Sequence, residues 1–459
     1  MKYKEQLVMD KVSLLRKWLE IDYIFTGQKL GFVSKYDVII SKELITQTMR
    51  CLDRATTVED PVDVNIIIAI IALMWEHIDK SVYNLKDFSI KILTRIGYPT
   101  SAIITDKHFD SNLCQFSPTY SVIDRYILTM RQAGNEVTVA DSTILLTDFQ
   151  KNLWDAVKTK KLIGVSAPTS AGKSFVLLAG SVNKLLSGPY DIIYIVPTLS
   201  LLNQVIEDYQ RFLRKTPLED YFITSSLDIG VSKAAHTIYV LTQEKAISTL
   251  SSEEFSGFDH KTIIIVDEIQ NIERITEGTD VRAKILYDTL QELRHASNVE
   301  QIIISGPRIN RMSDLGKSLF GVKAYEVETQ NSPVLNLTYS IVKKGNDYYM
   351  KQYCGLIPEP YEQKIENSSF IAGYGSSKIT KDYISYLSII SNALSSDQNI
   401  IFAPTASTAR DIAIALAEKS DADCCPELTG LIEYYNRSVN PHYSLCVALE
   451  KKCAYSHGK

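Results

Sequence analysis

Cysteine is sparse: seven in 459 residues, an odd number, with no CxxC spacing anywhere. A disulfide-stapled scaffold is excluded, and scattered thiols fit a reducing compartment, so the expected location is the cytoplasm. The neighbours Cys424 and Cys425 read as small loop residues rather than a redox pair. The start, MKYKEQLVMDKV, has no continuous apolar leader. The longest apolar run, Ile66 to Trp75, is ten residues, against about 20 needed to cross a bilayer; no membrane partner is expected. Basic charge is not in excess either. With 49 Lys and Arg against 54 Asp and Glu, the net charge is −5, which excludes a histone-like role and leaves room for a local basic groove. Internal repeats and low-complexity tracts are not visible.

What is present is ordinary for a large folded protein, 45% apolar and 22% charged, with a length that suggests roughly three domains. Residues 1–140 carry helical periodicity, as in Leu7, Leu14, Leu15, Trp18 and Leu19 and in the run Asn65 to Lys80. They hold no catalytic constellation and are read as a helical N-terminal domain, a candidate seat for a protein partner. Residues 141–330 alternate β-rich runs with amphipathic helices. The runs are Leu162–Val165, Ile192–Val196, Thr237–Leu241, Thr262–Val266 and Gln301–Ile304. Continuous apolar strands between helices predict an α/β fold with a parallel sheet covered on both faces. Residues 331–459 suggest a second α/β block, with helices over 381–394 and 407–418 and a strand over 399–403.

The strongest signal is LIGVSAPTSAGKSFVLLAG, Leu162 to Gly180. A strand enters a loop of small residues, Ala167, Pro168, Thr169, Ser170 and Ala171, then Gly172-Lys173-Ser174, then a helix. The pattern A-x-x-x-x-G-K-S is that of a phosphate-cradling loop with Ala167 in place of the usual first glycine. Small residues let successive N–H groups curl toward an anion, and the helix start adds a favourable dipole. Lys173 is fit to meet β- and γ-phosphates, and the Ser174 hydroxyl to ligate Mg²⁺. The expected cofactors are therefore ATP and Mg²⁺.

A second strand, in KTIIIVDEIQN, delivers Asp267 and Glu268 to its C-terminal edge, where ligands bind in open parallel sheets. Asp267 is expected to face the metal, and Glu268 to orient and deprotonate the attacking water.

In this order the motifs resemble those of superfamily two helicases on the DExH side, from about Leu146 to Lys459. LTDFQKNLWDAV is similar to the family's adenine-reading motif, with Gln150 as the amide. The resemblance implies RecA-like motor domains acting on single-stranded or partly duplex nucleic acid, DNA or RNA. It implies phosphate contacts from Pro197, Thr198 and Gln204 in YIVPTLSLLNQV and from Thr242 and Gln243 in VLTQEKA. Thr405 in IIFAPTAST resembles a contact of the second motor domain. From the residues alone, each threonine reads more readily as a helix N-cap than as a phosphate contact; the order of the motifs after the cradle favours the contact. ISGPRIN stands where the family has Ser-Ala-Thr, and DEIQ ends in Gln where His is common.

The family's second domain supplies arginines in a QxxGRxGR string, and no such string occurs in these residues. An arginine finger is worth roughly 10³–10⁵ in rate. The expectation is a C-terminally truncated motor, its remainder lost or supplied by another chain, that binds Mg-ATP, hydrolyses it poorly and does not unwind. The alternative is a nucleotide-switched binding module. A long N-terminal region before a DExH motor is also similar to bacterial anti-phage defence helicases, including the Hachiman type.

Overall fold

The runs Ile192–Val196 and Ile263–Val266 are apolar at every position. A strand of this kind needs cover on both faces, and it finds it. In the computed structural model of the protein, residues 2–57, 63–80, 84–118, 121–226, 234–251, 258, 260–272, 281–366, 381–394, 398–422, 424–440 and 443–456 are described. The chain divides into two compact units. One is Met1–Lys11 with Glu43–Leu335, and the other is Val12–Lys42 with Asn336–Lys459.

The first unit opens with helices Lys42–Ala55, Val64–His77 and Leu85–Arg95, then a 3-10 turn at Pro99–Thr105 and the helix Val122–Asn135. Helix Val64–His77 is buried at eight positions and is started by Asp63, whose carboxylate accepts from Ile66 N. A hairpin of β1 (Glu136–Val139) and β2 (Ser142–Leu145) leads into a seven-stranded sheet. Its members are β3 (Leu162–Ser166), β4 (Tyr190–Val196), β5 (Tyr221–Thr224), β6 (His236–Thr242), β7 (Lys261–Val266), β8 (Val299–Gly306) and β9 (Tyr325–Glu328). The order is β5-β6-β4-β7-β8-β3-β9 and all pairs are parallel. The α/β fold is thus RecA-like, preceded by a helical region. The five expected strands are all present, and β5 and β9 extend the sheet at its two edges.

Side-chain alternation divides the strands between two cores. Ile192, Tyr194 and Val196 of β4, with Ile263 and Ile265 of β7, pack with Trp154, Leu177 and Tyr209 of the helices on one face. Ile193, Ile195, Ile264 and Val266 pack with Leu286, Leu290 and Met312 on the other. The sheet is fixed from both sides, and the loops at its carboxyl edge start from a rigid base. Gly164 sits where β3 passes a helix: a Cβ there would lie 2.6 Å from Met312 Cβ.

In the second unit the helix Lys2–Lys29, from Val12 onward, packs on an antiparallel sheet of β10 (Leu337–Lys344), β11 (Asp347–Cys354) and β12 (Tyr361–Lys364). Tyr23, Leu30 and Phe32 meet Met350, Ile365 and Tyr386. Tyr23 Oη donates to Met350 O at 2.8 Å, and Gln352 Nε2 to Asp22 Oδ2 at 2.8 Å. The Asp22 carboxylate also accepts from the Tyr339 hydroxyl. A buried carboxylate is tolerable only with such partners.

The expected helices over 381–394 and 407–418 are found as Lys381–Leu394 and Ala406–Ala417, followed by Pro426–Ser438 and Ser444–Leu449. The run 399–403 is not a strand, and Ile400 and Phe402 are almost wholly exposed. An apolar run becomes a strand only beside a partner ladder, and among the described residues none pairs with it. The glycine-rich stretch 373–378, read as an ordinary loop, lies outside the described residues. No described helix is long and apolar enough to cross a membrane.

Candidate functional site

The loop after β3 makes one turn of 3-10 helix at Thr169–Ala171. It passes Gly172 in the left-handed region (φ 76°) and enters the helix Lys173–Leu185. Glycine is required here twice over. The conformation disfavours any Cβ, and a Cβ would lie 2.4 Å from Gln150 Nε2. Lys173 is buried, and its Nζ donates to Ala167 O at 2.6 Å and Pro168 O at 3.2 Å. Burial pulls the ammonium below its ordinary pKa, against the opposing charges of Asp267 and Glu268. The loop is thus closed on its own lysine, through carbonyl contacts that an incoming anion is fit to replace. Ser174 is exposed at the helix start.

Asp267 and Glu268 follow β7, beside β4 and one strand short of β3 in the sheet. Asp267 N donates to Ile195 O at 3.0 Å, which ties the acidic turn to the end of β4. Burial raises the Asp267 carboxyl first, and the Glu268 charge adds to it. The Glu268 N–H, Ser305 and Lys173 act the other way. Tyr194 Oη, from the buried strand β4, reaches Asp267 Oδ2 at 3.4 Å and also stands by Ser174. Glu268 is held in the left-handed region (φ 57°), a costly conformation for a residue with a Cβ. Its carboxylate accepts from Gln270 Nε2. Gln270 lies against Gly306 in the Ser-Gly-Pro stretch, where a Cβ would stand 2.8 Å from Gln270 Oε1. The two departures from the family pattern are therefore in contact: the glutamine occupies space that the glycine leaves.

Gln150 completes a capping box. Its Oε1 accepts from Thr147 N at 2.9 Å, and its own N–H reaches Thr147 Oγ1 at 3.2 Å. Nε2 donates to Ala171 O at 3.2 Å. One lone pair and one N–H of the amide remain for a ligand. Beside it lies a cavity of about 160 Å³ lined by Tyr98, Phe149, Gln150, Ser170 and Pro333 among others. Tyr98 and Pro333 carry no signal of a site in the sequence; only the fold brings them here.

The residues expected to touch nucleic acid differ in setting. Thr198 is exposed and caps the helix Leu199–Leu213, accepting from Leu201 N at 3.3 Å; Pro197 precedes it and Gln204 is exposed. Thr242 and Gln243 are buried, and Gln243 Nε2 donates to Arg282 O at 2.9 Å. Thr405 is exposed and caps Ala406–Ala417 in the other unit. Arg282 was not legible in the sequence. Its Nε donates to Glu244 at 2.6 Å and its Nη2 to Pro197 O, which ties the two loops together. Among the described residues no group of three or more His, Cys, Asp or Glu forms a metal cluster.

A strand–loop–helix phosphate cradle beside a strand-borne acidic pair, on a parallel sheet, defines a P-loop nucleotide-binding domain. The family model of the DEAD/DEAH box helicases matches residues 147–305, about a third of the chain, and this stretch is similar to that family. "Helicase POLQ-like" of Homo sapiens is 26% identical over 169 residues, 36% of this chain and 15% of that protein. "DExH-box ATP-dependent RNA helicase DExH15 chloroplastic" of Arabidopsis thaliana is 25% identical over 169 residues, 34% and 14% of the two chains. The matches thus span about a seventh of either relative. A DEAD box protein from Methanococcus jannaschii is similar over 40% of this chain and 50% of its own, with 16% identity and a TM-score of 0.31. The DUF1998 helicase MrfA is similar over 40% and 29%, with 15% identity and a TM-score of 0.31.

Proposed function

We propose that the chain binds Mg-ATP at the carboxyl edge of its parallel sheet and uses it as a nucleic-acid-dependent ATPase of the helicase type. One observation carries this reading. Buried Lys173, exposed Ser174 and the paired carboxylates of Asp267 and Glu268 follow the ends of two strands of one parallel sheet, β3 and β7, with β8 between them, and this donor set fits a magnesium-bound triphosphate. Bound Mg²⁺ supplies charge neutralisation to the phosphates. Lys173 leaves the loop carbonyls for the β- and γ-phosphates. The loop from Thr169 to Ser174 would supply backbone N–H groups to the phosphates, apart from that of Ala171, which donates to Pro168 O at 3.0 Å. Ser174 and Asp267 would hold the metal. Glu268 takes the proton of the attacking water, with Gln270 fixing its carboxylate. Gln150 reads the adenine edge from the cavity beside Tyr98 and Pro333.

Nucleic acid is the proposed partner, held through its phosphates. Thr198 spends a lone pair on its helix, which leaves its O–H to donate, and Gln204 is open to solvent; Thr405 has the same capped geometry as Thr198. Thr242 and Gln243 act from below, holding the Glu244–Arg282 pair beside Pro197. The domain reading is part of the proposal: a helical region over 1–140 with a protein partner, a first RecA-like domain over 141–330 and a second RecA-like block over 331–459. Without a QxxGRxGR string, turnover by these 459 residues is slow and unwinding absent. The anti-phage setting rests on resemblance alone.

The test is ATP hydrolysis with and without single-stranded DNA or RNA, beside nucleotide binding. Binding with weak, nucleic-acid-stimulated turnover is the expected result. Tight binding with no turnover under any condition favours the switched module, and no binding refutes both.

A further inference from the structure

An amphipathic surface helix normally turns its apolar stripe to the core. The helix Val122–Asn135 does the reverse. Its buried residues are Leu128 and Gln132. Its polar side holds it in place: Asp124 pairs with Lys91, Arg131 Nη1 donates to Arg95 O at 2.9 Å, and Asn135 Nδ2 to Asp148 at 2.7 Å. At 100° per residue, Val122, Ala133, Tyr126, Met130, Ile123, Gly134 and Ile127 fall within an arc of roughly 140° on the opposite side. That arc is in solvent. Val122 is 81% exposed, Ile123 73%, Tyr126 64%, Met130 58% and Ile127 42%. Five large apolar side chains in one stripe expose on the order of 500 Å², a size at which apolar patches mark interaction sites.

We propose that this face is a self-association surface, on which the helix docks antiparallel against the same helix of a second copy of the chain. The order of side chains argues for that occupant. An isologous contact needs a patch that complements itself. Here the bulky residues, Val122 and Ile123, stand at one end of the stripe and the small ones, Ala133 and Gly134, at the other. A two-fold axis near Leu128 sets Val122 against Gly134, Ile123 against Ala133, and Tyr126 against Met130. The last pair is a favourable sulfur–aromatic contact made twice. Gly134 supports the reading independently. Its φ is not positive, a Cβ there would meet nothing within 4 Å, and glycine weakens a helix. Nothing among the described residues of its own chain calls for a small residue there, whereas a close second helix does. The same register sets Arg125 level with Arg131 of the second copy, but on the opposite edge of the stripe, so the two charges are separated by its apolar width. Two copies would bury roughly 1,000 Å² of apolar surface plus a rim, which meets the threshold for a specific interface.

Sedimentation velocity on the full 459-residue chain tests this. The expected result is a concentration-dependent species of twice the 51.7 kDa chain mass. Ile123→Asp and Met130→Glu should each raise the dimer dissociation constant by about 10-fold or more. Both sites are already in water, so the variants should fold with unchanged nucleotide affinity. In a Val122→Cys/Gly134→Cys variant, mild oxidation should give an intermolecular link between positions 122 and 134, identified by peptide mapping. A chain that stays monomeric into the high micromolar range overturns the proposal, whatever else then covers the face. So does a dimer indifferent to Ile123→Asp, or a link between two copies of position 122.

Discussion

Tyr194 Oη lies 3.4 Å from Asp267 Oδ2. A tyrosine in the middle of a buried strand therefore holds, from beneath, the carboxylate assigned to the metal. Burial and the Asp267 charge drive its phenol well above the ordinary pKa, so it stays a donor. Tyr194→Phe keeps the ring in its core. The expected outcome is an unchanged fold and a Mg²⁺ requirement for nucleotide binding that rises about 3- to 10-fold, the worth of one ordinary hydrogen bond, as suits a contact as long as 3.4 Å. A magnesium titration of fluorescent-nucleotide binding reads it, and an unchanged titration removes Tyr194 from the site.

Gln150 serves both the helix start and the loop, and one substitution separates the roles. Gln150→Glu keeps the acceptor for Thr147 N and suits the helix N-terminus. It sets an oxygen against Ala171 O and removes the N–H offered to adenine. Stability should fall by about 0.5–1.5 kcal/mol, the worth of the lost bond to Ala171 O, while ATP affinity should fall about 10-fold or more. Equal loss of affinity for ATP and for inorganic triphosphate would show that adenine is not read here.

Gly306→Ala pushes a methyl group into Gln270 Oε1 and Ile309 Cδ1, at 2.8 and 2.6 Å. Overpacking of this kind costs about 1–3 kcal/mol. Because Gln270 bonds Glu268, turnover should fall further than nucleotide affinity. Gln270→Ala in the same chain should relieve the contact with the amide, though not that with Ile309, and so recover part of the stability without recovering turnover. Calorimetric melting with single-turnover kinetics separates the two effects.

The helical region has its own acid-sensitive tie. Partial burial pushes the Asp53 carboxyl up, but Arg95 at 2.7 Å and Lys91 outweigh it and hold it below the ordinary carboxylate value. A carboxylate depressed on folding stabilises above its unfolded pKa, near 3.9, and that contribution is lost as the pH falls through the folded value. Arg95→Met should therefore flatten the acid limb of the stability curve below about pH 4. The pair is half in water, so the effect at neutral pH is small. Melting temperature against pH, for the two proteins side by side, reads it.

The strands of the sheet are legible because β-branched runs such as Ile192–Val196 have few alternatives to a buried parallel strand. The cradle is legible because a loop that must curl N–H groups inward tolerates only small residues and one glycine. Periodicity gives out where structure depends on distant partners. The first long helix reads as a helix, but nothing local says that Tyr23 meets Met350, more than 300 residues away. The run Asn399–Ala403 is as apolar as a true strand and lacks a ladder. Gln243 reads as a groove residue by its place in a motif, yet its amide is buried under Arg282. Arg282 itself is one arginine among many until the fold sets it beside Pro197 and Glu244.

The most direct measurement is titration calorimetry of ATP with Mg²⁺ into the folded chain and into Lys173→Ala and Glu268→Gln. Saturable binding is predicted for the parent chain. Affinity should be roughly 10- to 100-fold weaker without the lysine, the worth of a charged hydrogen bond, and retained in Glu268→Gln. No heat of binding in the parent chain, or equal affinity in Lys173→Ala, would contradict the assignment of a nucleotide to this loop.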